Sequence, residues 1–159
     1  CSGDLGVALS LYQAARALGD DDVRRQAMLI AEDSSKRRGI GAGVVDACLC
    51  HGAVGVAHVF NRLFQATGSE VLREAAIFWY GRGLSYWRQG TGVGGFSYSY
   101  DYVNFDGSVV DQWITRPGLL DGAAGIGLAL LSAATEVEPS WDALLLASLP
   151  VHKAGEDLV

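Results

Sequence analysis

Charge and proline are both scarce in this sequence. Charged residues make up 19% and hydrophobic residues 50% of the 159 residues, a composition that excludes a disordered chain. Only 3 prolines accompany 21 glycines, and the glycines follow no three-residue period, which excludes a collagen-like fibre or a proline-rich linker. No uncharged apolar run reaches the roughly 18 residues of a membrane span, because Asp121 interrupts the best candidate. These absences leave a compact globular domain.

Basic residues and cysteines are also few. Against 18 acidic residues the chain has 12 lysines and arginines without a cluster, which argues against nucleic acid or an anionic membrane face as a partner. The 3 cysteines are an odd number, and Cys48 and Cys50 are separated by one residue. That pattern is not a disulfide framework, so it favours a reducing compartment, the cytoplasm, or a metal site.

The sequence begins with Cys1 rather than with methionine. We therefore expect a piece of a longer protein, or a chain whose start has been removed. Mature bacterial lipoproteins also begin with cysteine, but a polar tether usually follows that residue. Here an apolar helical pattern begins at once, which disfavours the lipoprotein interpretation.

An internal repeat organises the chain. Residues 1–8 match residues 50–57 and, more loosely, residues 120–127, and each copy reads G-x-x-G at the start of an apolar helix. A glycine inside a helix costs about 1 kcal/mol relative to alanine, so we expect the glycines to permit close packing of neighbouring helix starts. The predicted inner helices and their more polar outer partners are 5–18 with 21–38, 54–66 with 70–88, and 126–134 with 139–148.

These pairs predict an all-α fold of helical hairpins, at about 1–38, 50–89 and 119–149, stacked into an α/α solenoid or closed into a toroid. Gly19 and Gly68 suit left-handed helix ends, and Asp20 and Ser69 are candidate N-caps of the outer helices. The stretch 90–118 is too long for a simple connection. Its alternating aromatics predict a short β-hairpin or a lid: Phe96, Tyr98, Tyr100 and Tyr102.

The repeat also predicts a metal site. In register, Cys1 coincides with Cys50, and His51 follows directly. Two thiols and an imidazole would then meet at helix N-termini, where the backbone favours thiolate. Two cysteines and a histidine form a zinc-binding set that leaves the fourth position for water or substrate, as in catalytic zinc sites.

Other polar residues near the motif have simpler interpretations. Adding Cys48 would give a closed structural site of three cysteines and a histidine, but Cys48 precedes the repeat, so we expect it to pack inside a loop. We expect His58, two turns after His51, to be a satisfied interior histidine. Asp121 occupies the position of His51 in the third repeat. It could contact a metal ligand, but we expect it to be the N-cap of the helix that follows. Asp101 and Asp106 are expected to be turn residues.

At residues 1–6, 49–55 and 118–128 the sequence resembles the lanthionine synthetase C-like family, the lantibiotic cyclases. The resemblance spans nearly the whole chain and implies an α/α toroid around a zinc ion held by Cys1, Cys50 and His51. It also implies an enzyme that adds peptide cysteine thiolates to dehydroalanine or dehydrobutyrine. The implied partners are a dehydrated precursor peptide, a dehydratase and a transporter, and the implied location is the cytoplasm or the membrane periphery within such a complex.

The sequence departs from the family pattern in two places. Ser2 stands where family members usually carry an aromatic residue or histidine. The other groups implicated in the family, an aspartate, a histidine and an arginine, lie upstream of the first zinc cysteine. This chain therefore resembles the C-terminal part of a cyclase, no catalytic acid or base is assigned to it, and we expect it to be inactive alone.

Two further functions stay open at this stage. A family member could add glutathione to dehydroamino acids, with the same zinc activating a smaller thiol. Alternatively, the chain could be a zinc-stabilised helical scaffold without enzymatic activity.

Overall fold

A computed structural model describes residues 3–39, 42–103, 106 and 108–151. The predicted all-α fold with short strands in the long loop is confirmed. No helix in these ranges is both long and apolar enough to cross a membrane. The elements are α1 (Asp4–Leu18), α2 (Asp21–Ser35), α3 (Ala53–Thr67), α4 (Glu70–Leu84), β1 (Tyr98–Val103), β2 (Val109–Ile114), α5 (Ala123–Ala134) and a 3₁₀ helix (Ser140–Leu145).

The helix ends follow from local sequence. Gly19 and Gly68 end α1 and α3 in the left-handed conformation, at φ 66° and 70°, which glycine adopts without strain. Asp20 caps α2, because its carboxylate accepts the Val23 N–H at 3.0 Å. Ser69 is the N-cap residue of α4 but makes no side-chain capping bond.

Both outer helices are shorter than their amphipathic pattern predicted. α2 ends at Ser35 rather than at Arg38, and α4 ends at Leu84 rather than at Arg88. Beyond each end, backbone N–H groups bond to the carbonyl three residues earlier instead of four. For example, the Trp87 N–H donates to the Leu84 carbonyl at 3.1 Å. Such tight turns commonly satisfy the last carbonyls of a helix.

The third hairpin also differs from expectation. Its second half is a 3₁₀ helix over Ser140–Leu145 instead of an α-helix over 139–148, and Leu146 ends it at φ 53°. Asp142 in this segment is fully buried, and its carboxylate lies against His58 of α3. This tertiary contact overrides the helical propensity of the leucines and alanines around it.

The inner helices lie side by side, with α3 in contact with both α1 and α5. α2 packs on α1, and α4 packs on α3. The largest fully buried apolar side chains are Tyr12, Phe60, Leu63 and Leu72. Burial of each such side chain stabilises the fold by roughly 1.5–3 kcal/mol. Because Phe60 and Leu63 both lie on α3, and α3 contacts α1, α4 and α5, this helix is the centre of the core.

Residues 90–118 contain the predicted hairpin. β1 and β2 are antiparallel, with Tyr98 opposite Ile114. Asp106 is a turn residue as expected, because its carboxylate accepts the Ser108 N–H at 2.9 Å. The side chain of Asp101 lies outside the described part of the chain. The start of β1 approaches the segment before α3, which brings the hairpin to the candidate site.

Candidate metal centre

The segment before α3 folds back over the first turn of that helix. The Ala53 N–H donates to the Asp46 carbonyl at 2.9 Å, and the Gly55 N–H donates to the Cys48 carbonyl at 3.3 Å. Residues 46–52, called the ligand loop below, are therefore fixed against α3 by backbone bonds. Any side chain on this loop has a position determined by the start of the helix.

The third repeat has the same local structure over residues 116–125. The first and third residues of α5 donate to carbonyls seven positions back, at 3.0 and 3.4 Å, as in the ligand loop. Leu120 and Asp121 thus stand where Cys50 and His51 stand in the second repeat. The two loops also touch, since the Cys50 N–H donates to the Leu120 carbonyl at 2.8 Å.

The repeated glycines make room for these returning loops. A Cβ on Gly55 would overlap the Leu49 carbonyl, and a Cβ on Gly125 would overlap the Leu119 carbonyl. Gly125 also lies close to the Leu49 side chain, so one contact does join neighbouring repeats. The expectation that the glycines chiefly let helix starts approach each other is therefore wrong for α3 and α5, because the crowding there comes mainly from the loop before the helix.

Asp46 is a fully buried carboxylate in the ligand loop. Its Oδ1 accepts the Cys48 N–H at 3.0 Å, and its Oδ2 accepts the Ser99 N–H of β1 at 3.2 Å. Both carboxylate oxygens therefore have a backbone donor, as a buried charge requires. Asp46 fixes the loop from inside and joins it to the β-hairpin.

Cys48 is buried as expected, and its thiol also contacts the His51 imidazole. Its Sγ lies 3.5 Å from Nδ1 and 3.9 Å from Nε2 of His51. Burial, with a smaller contribution from the Asp46 carboxylate, raises the pKa of the Cys48 thiol to about 12. Without a metal, Cys48 is therefore a protonated thiol beside an imidazole.

Tyr98 approaches the opposite side of the same imidazole. Its hydroxyl lies 3.3 Å from Nε2 of His51, and the two ring centroids are 5.6 Å apart. Burial raises the pKa of Tyr98, with a smaller contribution from Cys48 and Asp46, so the hydroxyl stays protonated. The His51 ring is thus contacted by both the Cys48 thiol and the Tyr98 hydroxyl.

A cavity of about 460 Å³ opens beside this loop. Cys50 and His51 form part of its wall, and Gly3 at the start of α1 lines the same cavity. Most other lining side chains are apolar: Leu5, Leu9, Val44, Leu49, Val56, Val59, Leu120, Leu145 and Leu146. A thiol and an imidazole therefore face an apolar chamber.

The predicted ligand set is described in part. Cys50 and His51 share the cavity wall, whereas Cys1 and its neighbour Ser2 lie outside the described residues. Ligand atoms of Asp46, Cys48 and His51 all lie within 4.8 Å of one another. This group contains Cys48 and not the predicted ligand Cys50, and its thiol and imidazole donors are of the kind that suits zinc.

Asp121 does not have the predicted capping role. The N-cap of α5 is Gly122, and no side chain caps that helix. The Asp121 carboxylate instead lies 3.6 Å from Nε of Arg116. The reason is the loop itself, which turns the side chain at this position toward the returning segment and away from the free amides of α5.

His58 is a satisfied interior histidine, as expected. It is 1% exposed, with Nε2 3.2 Å from Asp142 and Nδ1 3.2 Å from the Ser132 hydroxyl. Its ring stacks on Trp141 with centroids 4.8 Å apart. Both ring nitrogens are therefore engaged in joining α3 to α5 and to the 3₁₀ helix.

Two residues of the site were not found from the sequence. Asp46 stands two residues before Cys48, a spacing typical of an aspartate that binds a nearby backbone amide, and that signal was available. Tyr98 lies 47 residues after His51, and only the pairing of the hairpin against the ligand loop brings them together. No local pattern could have identified that contact.

Comparison with known proteins gives one match. The sequence model of the family described as lanthionine synthetase C-like protein matches residues 1–146. Neither a curated protein nor a solved structure matches the chain.

Proposed function

Because the chain belongs to the lanthionine synthetase C-like family, we propose that it is the C-terminal part of a zinc-dependent, thioether-forming cyclase. The substrate is a lantibiotic-type precursor peptide that contains dehydroalanine or dehydrobutyrine. A cysteine thiol of that peptide adds across the Cα=Cβ bond. Sulfur bonds to Cβ, a proton reaches Cα, and no group leaves.

The observation that carries this proposal is the position of Cys50 and His51. These adjacent donors lie on the wall of an apolar cavity, beside the start of α1. The start of α1 is also where the repeat puts Cys1. Structural zinc sites are usually closed and away from a chamber, whereas a zinc that serves catalysis needs access to its substrate.

Cys1, Cys50 and His51 would hold the zinc and leave one of four positions for the substrate sulfur. When bound, zinc keeps a thiol deprotonated at neutral pH, where a free thiol with a pKa of about 8.5 is mostly protonated. The remaining work falls to the protein. Asp46 fixes the ligand loop, and Tyr98 orients His51.

The lining of the cavity favours a peptide over glutathione as the thiol. Among the described lining residues there is no lysine or arginine. Glutathione carries two carboxylates that would lose solvation there without a cation to pair with. A dehydroamino acid and the flanking apolar residues of a precursor peptide suit the same wall.

Such a cyclase needs a supply of dehydrated peptide. We expect a dehydratase to act before it and a transporter to remove the product, in a complex that resides in the cytoplasm or at the membrane periphery. The overall acidic charge of the chain, −6, does not favour direct binding to anionic lipid.

Thiol protection in a dehydrated peptide tests this function. The full-length, zinc-loaded protein is mixed with a peptide that contains one cysteine and one dehydroalanine. Ring closure leaves the mass unchanged, so the remaining thiol is counted by alkylation and mass spectrometry. We expect the wild-type protein to make the peptide resistant to alkylation and the His51→Ala variant to leave it reactive.

Asp121→Asn is the matched control, because it changes the equivalent position of the third repeat. It should cyclise the peptide as the wild type does. Unprotected peptide thiols with zinc-loaded wild-type protein would contradict the proposal, and formation of a glutathione adduct in preference to the ring would favour the other thiol substrate.

A further inference from the structure

The Cys48 thiol contacts His51 although Cys48 precedes the repeat motif. Its Sγ is 3.5 Å from Nδ1 of His51, and the thiol is buried. In a tetrahedral site, zinc–sulfur and zinc–nitrogen bonds of about 2.3 and 2.0–2.1 Å separate the two ligand atoms by about 3.5–3.6 Å. The observed distance is close to the edge of such a tetrahedron, but Sγ is also only 3.9 Å from Nε2, so the imidazole has to turn to direct Nδ1 at a metal shared with Cys48.

The backbone of the ligand loop determines this approach. In the third repeat Gly118 occupies the position of Cys48, and a Cβ added there would lie 3.0 Å from the Asp121 carboxylate. In both repeats, the first of these positions (Cys48 or Gly118) is therefore directed at the side chain of the second (His51 or Asp121). The contact between Cys48 and His51 thus follows from the fold of the loop.

Asp46 also lies within reach of this pair, but it is less suited to ligate. Its two oxygens already accept backbone N–H groups of Cys48 and Ser99. Withdrawal from either bond would leave a buried donor unsatisfied, which costs about 1–3 kcal/mol. Asp46 therefore positions the Cys48 backbone, and the sulfur of Cys48 is the donor that can reach a metal.

We propose that Cys48 is a further zinc ligand, which fills the fourth position of the site until a substrate thiol displaces it. This inference rests on the proposed function, in which Cys1, Cys50 and His51 hold the metal. When Cys48 binds zinc, its S–H bond breaks and the proton passes to solvent. When a substrate thiol takes its place, the departing Cys48 sulfur receives the proton that the substrate thiol loses.

The resting shell then has three sulfurs and one nitrogen. X-ray absorption at the zinc edge counts these atoms in the full-length, zinc-loaded protein without peptide. Three sulfurs at about 2.3 Å and one light atom at about 2.0 Å support the proposal. Two sulfurs and two light atoms overturn it but leave the proposed function intact, and absence of bound zinc overturns the proposed function itself.

The Cys48→Ser variant assigns the third sulfur. We expect it to retain about one zinc per chain, because the other three ligands remain, and to lose one sulfur from the shell. Three sulfurs in the variant would overturn the role of Cys48. Addition of a cysteine-containing peptide should restore the third sulfur in Cys48→Ser and leave the count of three unchanged in the wild type.

Cys48→Ala provides a second variant in case the buried hydroxyl of serine impairs folding. Circular dichroism and zinc content establish that each variant is folded and loaded before its spectrum is compared. A thiol that merely donates a hydrogen bond to His51 would leave the sulfur count at two in the wild type and in both variants, which contradicts the proposal.

Discussion

The guanidinium of Arg62 lies 3.0 Å from the carboxylate of Asp142, and both side chains are almost completely buried. The same carboxylate oxygen lies 3.2 Å from His58, and Arg62 also donates to the Leu149 carbonyl at 2.6 Å. This cluster attaches the C-terminal 3₁₀ helix to α3. The residues that follow, 145–147, form one wall of the cavity.

Loss of the Asp142 carboxylate should destabilise the protein strongly. Asp142→Ala leaves the Arg62 guanidinium buried without its internal counter-ion, and removal of one partner of a buried pair costs about 3–5 kcal/mol. We expect a decrease of that size in the free energy of unfolding, measured by urea denaturation of the full-length protein.

The matched control is Glu138→Ala. Glu138 lies 2.7 Å from Arg62 but its side chain is 55% exposed, so solvent screens the pair. We expect a decrease of no more than about 1 kcal/mol. Equal losses in the two variants would show that the buried carboxylate has no special role.

Zinc content tests the ligand set directly. Cys50→Ala and His51→Ala each leave only two of the three permanent ligands, Cys1, Cys50 and His51, beside the displaceable Cys48, so we expect zinc per chain, measured by mass spectrometry of the metal, to fall well below one. Leu120→Ala and Asp121→Asn change the corresponding positions of the third repeat and should leave it near one. Full zinc content in His51→Ala would refute the assignment.

The inner helices and their ends could be predicted from the sequence because they depend on local chemistry. Gly19 and Gly68 end helices by adopting a conformation that other residues disfavour, and Asp20 caps by binding a nearby amide. The repeat likewise predicted Cys50 and His51 as ligands; the structure places both on one cavity wall, and their role as ligands stays a prediction. Interactions within a few residues have sequence signals.

The parts that failed depend on contacts between distant segments. The 3₁₀ helix replaces the predicted α-helix because Asp142 is bound to α3, 84 residues earlier at His58. Tyr98 reaches His51 only through the β-hairpin. The contact of Cys48 with the His51 imidazole likewise depends on how the loop folds back over α3. Neither composition nor periodicity contains that information.

The 159-residue chain alone should be prone to association. Leu120 and Leu146 line the cavity, yet they are 47% and 72% exposed. If other hairpins complete the ring in the longer protein, these leucines become covered there. We expect the isolated chain to bind a hydrophobic dye, to self-associate in sedimentation experiments and to leave a dehydrated peptide uncyclised.

Leu146→Asn should reduce that association. The variant removes an exposed apolar side chain, and asparagine tolerates the φ of 53° at this position better than leucine does. If the wild-type chain is monomeric and binds no dye, the upstream part of the protein is dispensable for covering this surface. If the chain cyclises the peptide, the upstream part is dispensable for activity.

Tyr98 should determine how tightly the site holds its metal. Its hydroxyl lies 3.3 Å from Nε2 of His51 and leaves Nδ1 on the side of Cys48. A partner at the second nitrogen fixes the ring orientation of a ligating histidine, and loss of such partners typically weakens metal affinity by about 10–100-fold. We expect Tyr98→Phe to weaken zinc binding within that range, measured by competition with a chelator.

Tyr100→Phe is the control for this change, because Tyr100 lies two residues further along the same face of β1 and its ring is 6.4 Å from that of Tyr98. It should leave zinc affinity unchanged. The phenylalanine at position 98 keeps the packing of the ring, so both variants should unfold at nearly the same urea concentration. An affinity loss shared equally by the two variants would point to a disturbed hairpin, and unchanged affinity in Tyr98→Phe would mean that the ligand loop alone orients His51.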